Sequence, residues 1–187
     1  MDTSALAKSI TDAKPGKGHP PVEKWNPPFC GDIDMEIRAD GTWFYEGTPI
    51  GRERLRNLFA SVLRKDEDGK TYLVTPVEKV GIRVEDAHFT AVAMEVEGEG
   101  AGQRLTFRTN TGDVVEAGPD HPMRFEREEG TDGVKPYLHV RGRLEALVVR
   151  AVMYDLMELT EEIGGKVVVR SRGQTFPVMD ASEVAGL

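Results

Sequence analysis

The sequence predicts an α+β fold of two small halves, with mostly antiparallel sheets and one long buried helix in the C-terminal half. Many short segments alternate apolar and polar residues at period two, and glycine- and asparagine-rich turns join them, which is typical of antiparallel strands. A strand–helix–strand pattern occurs twice along the chain. A long segment from Leu144 to about Ile163 is apolar on nearly all sides, which predicts a buried helix.

Composition limits the classes of protein to consider. The chain has 187 residues, enough for one large domain or two small ones, and 39% of them are apolar. Its net charge of −8 disfavours broad binding to nucleic acid or anionic membranes. No apolar run is long enough to span a membrane, and the single cysteine, Cys30, excludes an internal disulfide. We therefore expect a cytoplasmic protein.

We divide the chain into an arm (1–29), an N-terminal half (30–86) and a C-terminal half (87–187). The arm begins with a short helix around Ser4–Ile10 and continues through a segment rich in proline and glycine, which favours an extended conformation. The alternative is a disordered tail up to about Pro20.

The N-terminal half opens with a predicted hairpin, because Ile33–Ile37 alternates and Gly41 precedes the run 42–45, which has β-branched and aromatic residues. Thr48 is a good N-cap and Pro49 fits the first helical position, so a helix is predicted to begin there. Its apolar side chains follow helical spacing up to Val62, and the charged run 65–69 ends it in solvent. Further strands are predicted at 72–75, 80–84, 88–97, 104–110, 113–117, 123–128, 137–141, 166–170 and 175–178.

The long C-terminal helix carries two further predictions. Because it is apolar nearly all round, it is buried on two sides or lies at a subunit contact, which makes a homodimer a candidate assembly. Asp155 falls within its apolar stripe, so this carboxylate must be paired or shift its pKa. We favour a structural pairing with an arginine or strand amides over a role as a site acid.

The repeated pattern places similar residues at two predicted helix starts. Gly51-Arg52 follows the strand 43–45, and Gly142-Arg143 follows the strand 137–139. Arginine at a helix N-terminus opposes the helix dipole, whereas free amides and guanidinium groups together suit an anion. Chance similarity of the two copies is the alternative.

These helix starts define the candidate ligand-binding residues. The guanidinium groups would grip the charge of a small anion, the two upstream aromatic rings would stack on a base, and one lysine could join the site. The candidates are Trp43, Tyr45, Arg52, Arg54, Lys79, Arg141 and Arg143. The alternative is that these cations pair with acidic residues on an acidic surface.

Metal and cofactor chemistry finds little support in the sequence. Asp32 and Asp34 lie on one face of a predicted strand and could hold a divalent cation, but nothing fixes further ligands. The four histidines lack zinc spacing, and no dinucleotide, phosphate-loop or nucleophile motif occurs. We therefore predict no cofactor and no metal, and we assign no catalytic residue.

Five runs of sequence form specific motifs: 25–34, 40–52, 72–82, 140–146 and 150–156. Together they resemble a bacterial domain-of-unknown-function family, found mainly in proteobacteria, with members near this length. The resemblance covers about residues 20–180. It implies two α+β halves built on a repeated motif, a C-terminal half superficially like a pleckstrin-homology fold, and a ligand site between the halves for a nucleotide-like or signalling molecule.

The leading functional hypothesis is a sensor or regulatory module that binds a small anionic, nucleotide-like ligand where the halves meet. The first alternative is a protein–protein adaptor that uses the apolar helix or a sheet edge. The second is a metal-dependent hydrolase around Asp32, Asp34 and His121.

Overall fold

The computed structural model describes residues 3–13, 18–131 and 133–184, and it is mostly β-sheet, with 45% strand and 20% helix. Contacts divide the chain into two compact units. The N-terminal unit comprises Met1–His88 with Gly142–Leu144, and the C-terminal unit comprises Phe89–Arg141 with Glu145–Leu187.

The N-terminal unit contains two helices, six strands and one 3₁₀ turn within its described residues. The elements are α1 (Thr3–Ala13), the turn Val22–Lys24, β1 (Phe29–Ile37), β2 (Trp43–Tyr45), β3 (Thr48–Pro49), α2 (Glu53–Ala60), β4 (Leu63–Lys65), β5 (Thr71–Val74) and β6 (Lys79–Val84). Its core is fully buried and includes Met35, Phe59, Leu73 and Val80. The predicted N-terminal helix is confirmed, and its side chains Leu6 and Ile10 are buried. The predicted extended segment at 14–17 lies outside the described residues.

The six strands form one sheet in the order β3-β2-β1-β6-β5-β4. Two antiparallel three-stranded meanders, β1–β3 and β4–β6, meet at a parallel pair of β1 and β6. The predicted hairpin of β1 and β2 is confirmed, with Ile37 opposite Trp43.

The C-terminal unit contains nine strands among its described residues. The elements are β7 (Phe89–Glu97), the 3₁₀ turn Gly100–Gly102, β8 (Arg104–Thr109), β9 (Val114–Glu116), β10 (Met123–Arg127), β11 (Val134–Arg141), β12 (Leu144–Val148), α3 (Arg150–Met157), β13 (Glu161–Ile163), β14 (Lys166–Ser171), β15 (Gln174–Asp180) and α4 (Ala181–Val184). Six strands form a sheet in the order β10-β11-β12-β7-β8-β9, and the last three form a separate antiparallel sheet.

The two six-stranded sheets have the same strand order. In each sheet, the strand that comes first along the chain lies parallel to the one that comes last, and this pair is at the centre. The other strands continue outward from the pair on both sides as meanders. The repeat therefore lies in the sheets β1–β6 and β7–β12. This structural repeat differs from the strand–helix–strand pattern that the sequence predicts around Gly51 and Gly142.

The prediction of a long buried helix from Leu144 to Ile163 is wrong, and so is the α+β class built on it. The segment forms β12, the eight-residue helix α3 and β13. Every second side chain is buried at the start of this segment, namely Leu144, Ala146 and Val148. This period of two belongs to a strand, so part of the apolar segment predicted as a helix is a strand. Gly142 has a φ of 54°, a conformation that ends β11 in a tight turn.

Two smaller expectations also change. Asp155 is exposed on α3 and has no described hydrogen bond or ion pair, so it is not a buried structural carboxylate. The helix α2 begins at Glu53, because Thr48 and Pro49 form an edge strand against β2, a position where proline is tolerated. The charged run 65–69 does not end this helix; Lys65 is the last residue of β4, and 66–69 lie in the hairpin turn that follows.

Candidate functional site

The N-terminal unit contains a cavity of about 430 Å³ beside the strands β1, β4, β5 and β6. This volume lies in the lower part of the ~300–1,000 Å³ range of small-molecule sites. We call it the β-sheet cavity. Its lining residues are Asp32, Ile33, Lys65, Gly69, Lys70, Thr71, Gly81, Ile82, Arg83, Val84, Asp86 and His88.

The β4–β5 hairpin supplies two lysines to this cavity. Lys65 lies opposite Thr71 in the hairpin register, and Lys70 immediately precedes Thr71. The turn between them is closed by hydrogen bonds from Asp66 N–H to the Lys70 carbonyl and from Gly69 N–H to the Asp66 carbonyl. Because the hairpin is short, both lysines lie at the same end of the sheet.

The ammonium groups of Lys65 and Lys70 form no salt bridge within the described part of the chain. The third cation of the cavity, Arg83, is exposed and contacts Asp34 at 2.8 Å and Glu36 at 3.5 Å. The two lysines therefore carry positive charge that no carboxylate salt bridge offsets.

A buried histidine and threonine form part of the cavity wall. His88 Nε2 lies 3.1 Å from the Thr71 hydroxyl, and both residues are buried. Such a hydrogen bond orients the imidazole ring and the hydroxyl group relative to β5.

Asp32 and Gly81 face each other across the parallel pair of β1 and β6. A β-carbon at residue 81 would lie 2.0 Å from Asp32 Oδ1, so a glycine is needed for the carboxylate to occupy this place. The Asp32 carboxylate forms no described hydrogen bond or salt bridge. Gly81 thus serves to make room for an available carboxylate.

A polar network next to the cavity fixes the N-terminal arm. Arg64 is 8% exposed and donates hydrogen bonds to the carbonyls of Val22 (2.8 Å) and Trp25 (2.7 Å). Its Nε also donates to Asp66 Oδ1 at 2.6 Å, and Lys79 Nζ donates to Asp66 Oδ2 at 3.0 Å. Arg64 therefore joins the arm to the hairpin that carries the two lysines.

Tyr72 completes this network. Its hydroxyl donates to Asp68 Oδ2 at 2.6 Å, and Lys79 Nζ lies 4.4 Å from the centre of its ring. The hydrogen bond to Asp68, followed by burial, raises the pKa of Tyr72 to about 12. The hydroxyl therefore stays protonated, and keeps donating to Asp68, across the physiological pH range.

A second cleft of about 450 Å³ has Asp66 in its wall. It is lined by Glu23, Lys24, Trp25, Asn26, Arg64, Asp66, Glu67, Asp68 and Arg143. Arg143 contacts Glu67 at 3.0 Å and Arg64 contacts Asp66, so both guanidinium groups of this cleft are already paired with carboxylates.

The sequence-predicted aromatic residues do not line either cavity. Trp43 is 1% exposed, so its ring is enclosed in the core and offers no face to a ligand. Tyr45 is half-buried on the same strand. Arg52 is the N-cap residue of α2, and Arg54 is exposed in its first turn; neither forms a described salt bridge.

The other predicted cations are engaged with acids. Lys79 contacts Asp66, and Arg143 lies in the turn between β11 and β12, so the prediction that it begins a helix is wrong. Arg141 ends β11, where it contacts Asp113 at 3.1 Å and lies over the Phe89 ring. Burial lowers the pKa of Arg141.

The residues proposed for a metal site are also placed. Asp34 contacts Arg83, and the His121 ring stacks on His139 with 5.5 Å between the ring centres. Among the described residues, no group of three or more histidine, cysteine, aspartate or glutamate side chains is arranged to hold a metal ion.

Sequence reasoning missed the main residues of the cavity. The sequence pattern places Lys65 at a solvent-exposed helix end and gives Lys70 no role, because it predicts no strand at 63–65. The sequence contains a usable signal: the polar run 66–69 ends in a glycine and comes shortly before the apolar run 72–74, as in a hairpin turn. Gly69 has a φ of 79°, which this turn requires.

Comparisons with known proteins identify the family. The profile of the DUF1285 N-terminal domain, a domain of unknown function, matches residues 20–87, and that of the DUF1285 C-terminal domain matches residues 88–178. The chain belongs to the DUF1285 family. This confirms the resemblance to a proteobacterial family of unknown function.

Two solved DUF1285 structures resemble this DUF1285 chain. A family protein from Silicibacter pomeroyi DSS-3 is 49% identical, with a TM-score of 0.91 and coverage of 98% of both chains. A family protein from Shewanella baltica OS155 is 28% identical, with a TM-score of 0.51 and coverage of 66% of this chain and 90% of that one. No curated protein matches. Among the described residues, no helix has the length and apolar character that crossing a membrane requires.

The Asp66 network of this DUF1285 protein predicts a pH-dependent stability. Burial by itself raises the pKa of Asp66, but hydrogen bonds from Arg64 and Lys79 outweigh burial and hold that pKa below its ordinary value of 3.8. The stabilisation is therefore present above about pH 4 and is lost as the pH falls through the lower, folded-state pKa. We expect Asp66→Asn to lower the free energy of unfolding by about 2 kcal/mol at pH 7.

Urea unfolding at pH 7 and pH 3, followed by tryptophan fluorescence, measures this effect. Both tryptophans, Trp25 and Trp43, lie in the N-terminal unit, so the signal reports on that unit. The difference between wild type and Asp66→Asn should shrink at pH 3, whereas the exposed Asp155→Asn should change little at either pH. An equal difference at both values of pH would contradict the assignment.

Proposed function

We propose that this DUF1285 protein binds a small anionic ligand in the β-sheet cavity and acts as a sensor or regulatory module. The observation that carries the proposal is the pair Lys65 and Lys70, two residues that line one cavity and whose ammonium groups form no salt bridge among the described residues. We also propose that the protein works in the cytoplasm, which its single, exposed cysteine supports.

The charge of the whole chain makes this pair significant. A net charge of −8 repels anions in general, so an anion binds only where cations are concentrated. Several arginines of the N-terminal unit do not provide such a place, because Arg64, Arg83 and Arg143 contact carboxylates. Lys65 and Lys70 form no such salt bridge among the described residues, although Lys70 attracts the nearby Asp68 carboxylate electrostatically.

The remaining cavity wall suits a phosphate or carboxylate group. Thr71 lines the cavity with the lysines, and its hydroxyl, already hydrogen-bonded to the His88 ring, belongs to a group that can donate and accept at the same time. Charge-assisted hydrogen bonds from ammonium groups to anionic oxygens are stronger than neutral ones. The volume of about 430 Å³ favours a compact ligand.

Ligand-induced stabilisation tests the proposal. Wild type and Lys65→Gln/Lys70→Gln would be heated with nucleotides and phosphorylated metabolites, with the fluorescence of Trp25 and Trp43 as the readout. A ligand at about 100 times its Kd stabilises the folded protein by about 2.7 kcal/mol, a clear increase in Tm. We expect this increase in wild type and its loss in the double lysine variant.

Arg52→Gln/Arg54→Gln is the matched control, because it removes the same charge from exposed arginines that do not line the cavity. This variant should keep the stabilisation. Loss of stabilisation in the control but not in the lysine variant would show that the ligand binds at the start of α2. A wild type that no compound of the panel stabilises would refute the proposed function.

A further inference from the structure

The β-sheet cavity carries carboxylates as well as ammonium groups, and this mixture bears on the kind of ligand. Asp32 and Asp86 line the same cavity as Lys65 and Lys70. A carboxylate near the site repels a bare anion, but it accepts hydrogen bonds from hydroxyl or ammonium groups. A site with both signs of charge therefore suits a ligand with an anionic end and a hydrogen-bond-donating part.

Asp32 is the carboxylate that is free to make such a contact. It forms no described hydrogen bond or salt bridge, in contrast to Asp34 on the same strand, which contacts Arg83 at 2.8 Å. The missing side chain of Gly81 leaves the space that Asp32 Oδ1 occupies, because a β-carbon there would lie 2.0 Å from that oxygen. The lining of the cavity thus includes an acceptor with unused hydrogen-bonding capacity.

We propose that the ligand is an organic phosphate ester that also carries hydroxyl or ammonium donors, and that Asp32 is the residue that selects for them. This inference rests on the proposed function, since Lys65 and Lys70 bind the phosphate. Asp32 acts by difference: it weakens the binding of phosphates that lack a donor and strengthens the binding of those that have one. A site built to accept a donor discriminates strongly against an analogue without it.

Isothermal titration with three phosphate monoesters tests the inference. Methyl phosphate carries no donor beyond the phosphate, ribose 5-phosphate carries hydroxyl groups, and O-phosphoserine carries an ammonium group. We expect wild type to bind ribose 5-phosphate or O-phosphoserine at least about tenfold more tightly than methyl phosphate. Which of the two binds more tightly identifies the donor.

Two variants then assign the preference to Asp32. Asp32→Asn should reduce the preference to less than about twofold and should leave methyl phosphate bound as well as before or better. Gly81→Ala should have the same effect, since its β-carbon displaces the Asp32 side chain, whose flexible end can move without unfolding the strand. Asp155→Asn, exposed in the C-terminal unit, controls for the loss of one negative charge.

The outcomes separate this inference from the proposed function. Equal binding of all three esters to wild type, or an unchanged preference in Asp32→Asn and Gly81→Ala, would overturn the role of Asp32. In both cases, the proposed function would still hold if wild type binds methyl phosphate and Lys65→Gln/Lys70→Gln does not. If none of the three esters binds, the phosphate-ester inference is overturned, and the wider thermal panel decides the proposed function.

Discussion

Replacing Arg64 with methionine is expected to lower the free energy of unfolding of the N-terminal unit by about 3–5 kcal/mol. The guanidinium group is buried, and its loss leaves Asp66 with Lys79 as its remaining cationic contact. It also leaves the carbonyls of Val22 and Trp25 without the donor that Arg64 provides. Unpaired buried charges and polar groups are among the most destabilising changes a single substitution makes.

Urea unfolding followed by tryptophan fluorescence measures the loss of stability, and hydrogen exchange over residues 20–28 measures release of the arm. Both should change together in Arg64→Met. Arg83→Met is the matched control, since Arg83 forms its salt bridges at 61% side-chain exposure and exposed pairs contribute about 1 kcal/mol or less. An Arg64→Met protein as stable as wild type would show that the arm is held by other contacts.

Arg141→Met is expected to destabilise the C-terminal unit by about 3 kcal/mol. The salt bridge to Asp113 is largely shielded, with side-chain exposures of 21% and 11%, so either partner alone is a poorly solvated charge. Asp113 is also the acceptor for the hydroxyls of Thr109 and Thr111, which places the ion pair at the turn between β8 and β9. The sequence predicted Arg141 as a ligand contact; its surroundings favour a structural role.

A double-mutant cycle measures the pair directly. We expect Arg141→Met and Asp113→Asn each to be destabilising, and the double variant to be less destabilised than the sum of the two. Hydrogen exchange in β9 and β11 localises the effect to the C-terminal unit. Additive losses of stability would show that the two residues act independently. A stable Arg141→Met protein with weakened ligand binding would show that Arg141 contacts the ligand.

Most strands were predictable because their signal is local. Period-two alternation in Ile33–Ile37 and Val80–Val84, with glycine turns between strands, needs no knowledge of the partners. The segment 144–163 was misassigned because its apolar residues fit a helix and a strand equally well when no breaker separates them. Burial at 144, 146 and 148 decides for a strand, and burial depends on tertiary packing that the sequence does not display.

The candidate site was harder to predict than the strands. The arginines at the two predicted helix starts are candidates because a cation is unfavourable at a helix N-terminus. Arg143, however, lies in a turn and contacts Glu67. Lys65 and Lys70 have no such unusual local position. They share a cavity with Asp32 and His88 only when β4, β5, β6 and β1 assemble in one sheet. Long-range pairing of that kind leaves no mark on a single sequence.

Amide chemical-shift mapping of the isotope-labelled protein, titrated with ribose 5-phosphate, tests most directly whether Lys65 and Lys70 form an anion site. We predict that the largest shifts fall at residues 65–71 and 81–84 and vanish in Lys65→Gln/Lys70→Gln. Shifts centred on Arg52 and Arg54, or shifts that persist unchanged in the lysine variant, would contradict the assignment of the ligand to this cavity.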